Sequence, residues 1–204
     1  MAKPLLDRIA LVTGASRGIG AALALELAQA GAHVVAVART VGGLEELDDK
    51  INAAGGSATL VPLDLKDSDG IARLALALNE RYQRLDVLVG NAGILGSLSP
   101  LAHVQPKDWD NLVAVNITAN WQLIRCMDAL LQRSRAGRAV FLTSGVAHMG
   151  RAYWGLTRPQ RRLWKCWCAP MRPNVRPHPS APIYSRPARP ALACMPAHSL
   201  ALIR

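Results

Sequence analysis

The residues of this chain best suited to chemistry begin with Thr13-Gly14-Ala15-Ser16-Arg17-Gly18-Ile19-Gly20. The apolar run Ile9-Ala10-Leu11-Val12 leads in, and a periodic apolar run from Ala21 to Ala30 leads out. That order predicts strand, glycine turn, helix. Such a turn presents unpaired backbone N–H groups at the positive end of a helix dipole, where an anionic phosphate is stabilised. Glycine lets the backbone turn tightly and approach a ligand closely. A dinucleotide phosphate fits this arrangement, although a lone glycine triplet also serves as a plain strand–helix turn. Further polar residues stand at the ends of apolar runs or inside a helical stretch: Asp64-Leu65, Asn91-Ala92-Gly93, Asn116 and Ser144.

Alternating elements must position these groups. Strands are predicted at Ile9–Val12, His33–Ala38, Ala58–Leu63, Asp86–Val89 and Ala139–Leu142. His33–Ala38 is almost wholly apolar, as expected of a strand covered on both faces. Between them lie a helix carrying Leu23, Leu27 and Ala30, and a polar helix over Leu44–Ala54. Next come a helix capped by Ser68 with Ile71, Leu74 and Leu78 on one face, and one long or two short helices from Lys107 to about Arg133. Strand–helix alternation implies right-handed crossovers and an α/β fold, a Rossmann-like doubly wound parallel sheet. Such a sheet binds ligands beyond the carboxyl ends of its strands, where all the polar sets fall.

The chain changes character near Gly155-Leu156. Residues 1–155 hold 15 Lys+Arg against 14 Asp+Glu, whereas 156–204 hold 9 Lys+Arg and no acid. Nine of the 13 prolines and three of the four cysteines also lie after 155, and no helical or strand period continues. Two parts follow: a nucleotide-binding domain over 1–155 and a basic Pro/Arg-rich tail over 156–204, expected to be disordered. The net charge of +10 therefore reflects the tail and is weak support for nucleic-acid binding. No apolar run is long enough to cross a membrane, and no leader-like apolar stretch precedes Asp7-Arg8, so a cytoplasmic protein is expected. Cys166-x-Cys168 lacks the usual metal-site spacing and a partner pair, and no metal is expected.

The spacing G-x-x-x-G-x-G, with Asp64-Leu65, N-A-G at 91–93, Asn116 and Ser144 following in order, resembles the short-chain dehydrogenase/reductase family over residues 5–155. The resemblance implies hydride transfer between a nicotinamide cofactor and a small-molecule alcohol or carbonyl substrate. Gly14, Ser16, Gly18, Ile19 and Gly20 would cradle the pyrophosphate. Asp64 would accept from the adenine amino group, unless it is only a helix-entry Asp. Asn91, Ala92 and Gly93 would border the cofactor, and Asn116 would help hold a water of a proton relay. Ser144 would hydrogen-bond the reacting oxygen. Strand two ends at Ala38-Arg39 with no acid to take a ribose 2′-hydroxyl. Arg39 and Arg17 instead suit a 2′-phosphate, which favours NADP over NAD. The family also implies a homo-oligomer, which the break near residue 155 puts in doubt.

The family's acid is a Tyr with a Lys four residues later, expected at 157 and 161; the chain has Thr157 and Arg161. Tyr153 is the nearest substitute and has Thr157, not Lys, four residues on. Reading the codons of 156–165 one nucleotide earlier permits P-Y-A-A-S-K-A-A-L-E, with Tyr and Lys at the expected places. The same frame permits L-V-R-T-Y-A-A-E over 167–174 and G-P-T-R-T-R-M over 188–194. One missing nucleotide near codon 155, a frameshift, accounts together for the charge jump, the prolines and the lost acid. It also implies a sheet truncated after the fifth strand, with an apolar edge left bare. Three readings follow: an inherited oxidoreductase inactive as written, a catalytically dead nucleotide-binding protein, and a reductase domain with an RNA- or polyanion-binding tail.

Overall fold

The structure is a computed structural model that describes residues 3–143 and the backbone of 191–196. The first five strands are β1 (Ile9–Thr13), β2 (His33–Ala38), β3 (Ser57–Pro62), β4 (Val87–Gly90) and β5 (Arg138–Thr143). The helices are α1 (Gly18–Gln29), α2 (Val41–Ala53), α3 (Ser68–Tyr82), α4 (Pro106–Val113) and α5 (Ala119–Arg133). All strands are parallel, in the order β3-β2-β1-β4-β5. The α/β doubly wound class read from the sequence is therefore correct, and the order reverses between β1 and β4.

Strand residues alternate between two cores because successive side chains leave a strand on opposite faces. Leu11, Val35, Val37, Leu88 and Phe141 face one core, which α3 and α5 close with Ile71, Leu74, Leu78, Leu123, Met127 and Leu130. Ala10, Val12, Val34, Ala36 and Val89 face the other, closed by Ala24, Leu27, Leu44, Leu47 and Ile51 of α1 and α2. Burial on both sides is the reason β1 and β2 read as unbroken apolar runs.

Two local expectations differ in detail. The cap of α3 is Asp67, not Ser68: its carboxylate accepts from the Gly70 N–H at 2.8 Å. That bond, helped by the nearby Arg73 charge and opposed by desolvation, holds the Asp67 carboxyl below its ordinary range. The stretch from Pro106 to Arg133 is continuous, but five residues, Ala114–Thr118, wind as a π turn between α4 and α5.

Through residue 143 the sheet is the expected five-stranded one. A sixth strand, β6 (Ala191–Pro196), lies parallel to β5 in register from Arg138↔Ala191 to Thr143↔Pro196. The edge expected to be bare is thus paired by a segment assigned to the tail. A-L-A-C-M-P is a short apolar run without charge. Its one proline is the last residue, where a missing N–H costs the ladder least.

Candidate active site

The carboxyl ends of β1, β2, β3 and β4 surround a cleft of about 720 Å³. Its floor is the turn between β1 and α1. Gly14 and Gly18 hold left-handed φ angles of 65° and 58°. A Cβ at Gly18 would meet only open space, so the φ alone calls for glycine there. A Cβ on Gly20 would lie 2.2 Å from the Gly14 carbonyl oxygen, so the packing of turn on helix calls for glycine there. Arg17 is the extended N-cap residue of α1 and gives its N-terminus no side-chain hydrogen bond. No acid stands in the first turn of α1. The first N–H groups of α1 thus meet the cleft with no carboxylate of their own helix against them.

A clasp joins this turn to the end of β4. The buried Thr13 hydroxyl donates to the Val89 carbonyl at 3.2 Å. It accepts from the N–H groups of Asn91 and Ala92 at 3.0 and 3.1 Å. The Asn91 side-chain amide returns the link, donating to the carbonyls of Thr13 at 2.8 Å and Gly14 at 3.2 Å. Asn91 is thus a structural strut that holds two strand ends at the switch point. Thr13 belongs to the turn motif, but its role is not legible there, because its partners lie 76 to 79 residues away.

Eleven of the twelve residues expected to touch a cofactor line this one cleft: Gly14, Ser16, Arg17, Gly18, Ile19, Arg39, Asp64, Leu65, Asn91, Ala92 and Gly93. Gly20 is buried beneath it. Val37, Ala38, Thr40, Gly43, Leu63, Ile94 and Val115 join the lining and were not expected. Of these, Gly43 lies inside α2, one residue before the predicted helix start, and a Cβ there would come within 2.9 Å of the Ser16 Cβ. Arg17 and Arg39 are exposed at the rim, and neither has a carboxylate partner among the described residues. Asp64 accepts from the Lys66 N–H at 3.0 Å, and its other oxygen is 3.9 Å from Lys66 Nζ. Since Asp67 caps α3, the helix-entry role weighed for Asp64 belongs elsewhere.

Asn116 lies buried at the centre of the π turn. Its side-chain oxygen accepts from the Ile94 N–H, and its amide donates to the Ile94 carbonyl, both at 2.8 Å. The poor helix former is thus a clamp between the long helical stretch and the segment following β4. Its own carbonyl accepts from the Asn120 side chain at 3.0 Å. The Asn120 carbonyl oxygen is buried without a hydrogen-bond partner among the described residues. Ser144 and Tyr153 lie outside the described residues, as do Cys166 and Cys168. Among the described residues, no three metal-ligating side chains cluster and no helix is long and apolar enough to cross a membrane.

A family model described as short chain dehydrogenase matches residues 8–156. The chain belongs to this family. The uncharacterized oxidoreductase YciK of Escherichia coli (strain K12) is 37% identical over 152 residues, covering 73% of this chain and 60% of the relative. The sepiapterin reductase of Chlorobaculum tepidum is 33% identical over 149 residues, covering 70% of this chain and 61% of the relative. Among solved structures, a metagenomic short-chain oxidoreductase in complex with NADP superposes with a TM-score of 0.76 at 36% identity, over 83% of this chain and 78% of its own. The chain spans about three fifths of the length of these curated short-chain dehydrogenase relatives. The family match ends at residue 156, where the composition changes.

Proposed function

We propose that residues 1–155 are the nucleotide-binding domain of an oxidoreductase that moves a hydride between NADP and a small alcohol or carbonyl compound. The observation that carries it is the cleft at the β1/β4 switch point, where the glycine turn, Arg17 and Arg39 converge. The fit is chemical. The turn offers N–H donors and space at Gly18, and the two rim arginines offer positive charge with no carboxylate partner among the described residues. NADP bound in two of the structural relatives supports the choice of cofactor. Arg17 and Arg39 would take the 2′-phosphate and Gly14, Ser16, Gly18 and Ile19 the pyrophosphate, with Asp64 and Leu65 beside the adenine. When bound, the cofactor supplies or accepts hydride at the nicotinamide ring. Asn91 and Asn116 hold the turn and the segment after β4 in place for it, and in the proposed reading Asn116 also serves the proton relay.

The polar half of the reaction needs a group that gives or takes a proton at the substrate oxygen. Ser144 would orient that oxygen, but the Tyr and Lys expected at 157 and 161 are Thr157 and Arg161. A threonine hydroxyl is too weak an acid, and losing a general acid costs about 10²- to 10⁴-fold in rate. We therefore read the chain as written as an inactive oxidoreductase, frame-shifted from residue 156. The end of the family match at residue 156 supports this reading. Resequencing the DNA across codon 155 tests it directly. An extra base is expected there. An intact template, together with tail peptides found by mass spectrometry, would overturn the frameshift. Fluorescence titration with NADPH separates the domain's binding from its turnover: negligible carbonyl reduction is expected, with binding weakened by loss of the Lys at 161, and binding without any turnover would favour the catalytically dead nucleotide-binding reading. Robust turnover by the chain of verified sequence would refute inactivity. Steeply salt-dependent RNA binding by the tail alone would favour the polyanion reading instead.

A further inference from the structure

At the opposite end of the sheet, beyond the amino ends of β1 and β4, a second cleft of about 320 Å³ is lined by Arg8, Arg84, Arg133 and Arg135, with Asp7, Asp86 and Leu6. Four guanidinium groups face two carboxylates. Of these, Asp86 is almost wholly buried and already saturated. It accepts from Arg8 Nη1 at 2.9 Å, Arg84 Nε at 3.2 Å, the Ile9 N–H at 2.9 Å and the Ser134 hydroxyl. One carboxylate charge is thus shared between two arginines. Arg84 also donates to the main-chain carbonyl of Asp7 at 2.6 Å, and forms no ion pair with the Asp7 carboxylate. Arg133 is pinned by neutral acceptors, the Gln83 carbonyl at 2.6 Å and the Asn79 side chain. These bonds fix its position, and no carboxylate among the described residues pairs with it. Arg135 is exposed and has no hydrogen bond or ion pair with any described residue. The carboxyl end of α5 offsets only about half a charge.

Holding four cations around one cavity costs repulsion that a bound anion would relieve. Asp86 also anchors Arg8 and Arg84, so their forks need no ordering when a ligand arrives, and forked guanidiniums match tetrahedral oxyanions. We propose that this cleft is a second anion site that takes a phosphate group of a small molecule. It lies at the other end of the strands from the cofactor cleft and does not depend on the oxidoreductase reading.

The test is calorimetric titration of the full chain with pyrophosphate and with inorganic phosphate, in a background of Arg17→Gln, Arg39→Gln and Gly20→Ala that disables both the 2′-phosphate and the pyrophosphate parts of the cofactor cleft. Binding is expected to persist in that background and to weaken as ionic strength rises. Adding Arg133→Gln and Arg135→Gln is expected to weaken it at least tenfold. Arg135→Gln alone makes no change to the fold's own bonds, and is expected to weaken binding about threefold or more with an unchanged melting curve. No binding in the Arg17→Gln, Arg39→Gln, Gly20→Ala chain, or binding indifferent to Arg135→Gln, would overturn the proposal.

Discussion

Replacing Thr13 by Val keeps the branched shape of the side chain and removes one hydroxyl. That hydroxyl is fully buried and serves three groups: Val89 O, Asn91 N and Ala92 N. They do not suffer equally. The Asn91 N–H also reaches the Val89 carbonyl at 3.1 Å, so each of that pair keeps a partner. The Ala92 N–H keeps none among the described residues. A part-buried donor left unpaired costs up to about 1–3 kcal/mol, and the weakened bond at Asn91 about 0.5–1 kcal/mol more. The sum, about 1.5–4 kcal/mol, corresponds to a fall of about 3–16 °C in melting temperature for a domain of this size. The effect also reaches the cleft, because Asn91 and Ala92 line it and Asn91 holds the Gly14 carbonyl. NADPH affinity is expected to fall about tenfold, or about 1.4 kcal/mol. Thermal melts followed by circular dichroism and NADPH fluorescence titration measure the two effects. Thr13→Ser keeps the hydroxyl and is expected to retain most of both. A Thr13→Val chain within about 2 °C of the parent, with unchanged affinity, would refute the clasp as the link between β1 and β4.

Gly20→Ala places a Cβ 2.2 Å from a backbone oxygen of the turn, which cannot move aside as a flexible side chain would. NADPH binding should be lost, and a normal titration curve would contradict the described packing. Arg39→Asp, made with Arg17→Gln, should cost NADPH at least tenfold while leaving NADH affinity level or improved; equal losses for both would remove the 2′-phosphate assignment. Acid should unfold the domain partly through Asp86. Burial pushes its carboxyl up, but the bonds from Ser134, Ile9, Arg8 and Arg84 together hold it below its ordinary value. Its contribution is therefore present above the unfolded carboxylate pKa and lost as pH falls through the lower folded value. In urea melts from pH 6 down to 3, Asp86→Asn should be less stable at pH 6 and should flatten the decline; parallel curves would show that Asp86 does not set it.

The sequence by itself determined the order of strands and helices, the glycine turn and the set of residues at the strand ends. These follow from local periodicity and from backbone demands that few residue types meet. The double burial of β1 and β2 was legible in their unbroken apolar runs, and so was the break near residue 155, in charge and proline content. Only the tertiary structure decided which polar groups answer one another. Thr13 meets Asn91 and Ala92 across 78 and 79 residues, Asn116 meets Ile94 across 22, and Asp86 meets Arg8 across 78. No local pattern encodes such pairs, because they exist only once the sheet order brings β4 beside β1. The pairing of Ala191–Pro196 with β5 was likewise out of reach. A short apolar run among prolines takes its conformation from the edge it finds, and that edge is made by residues far away in the chain.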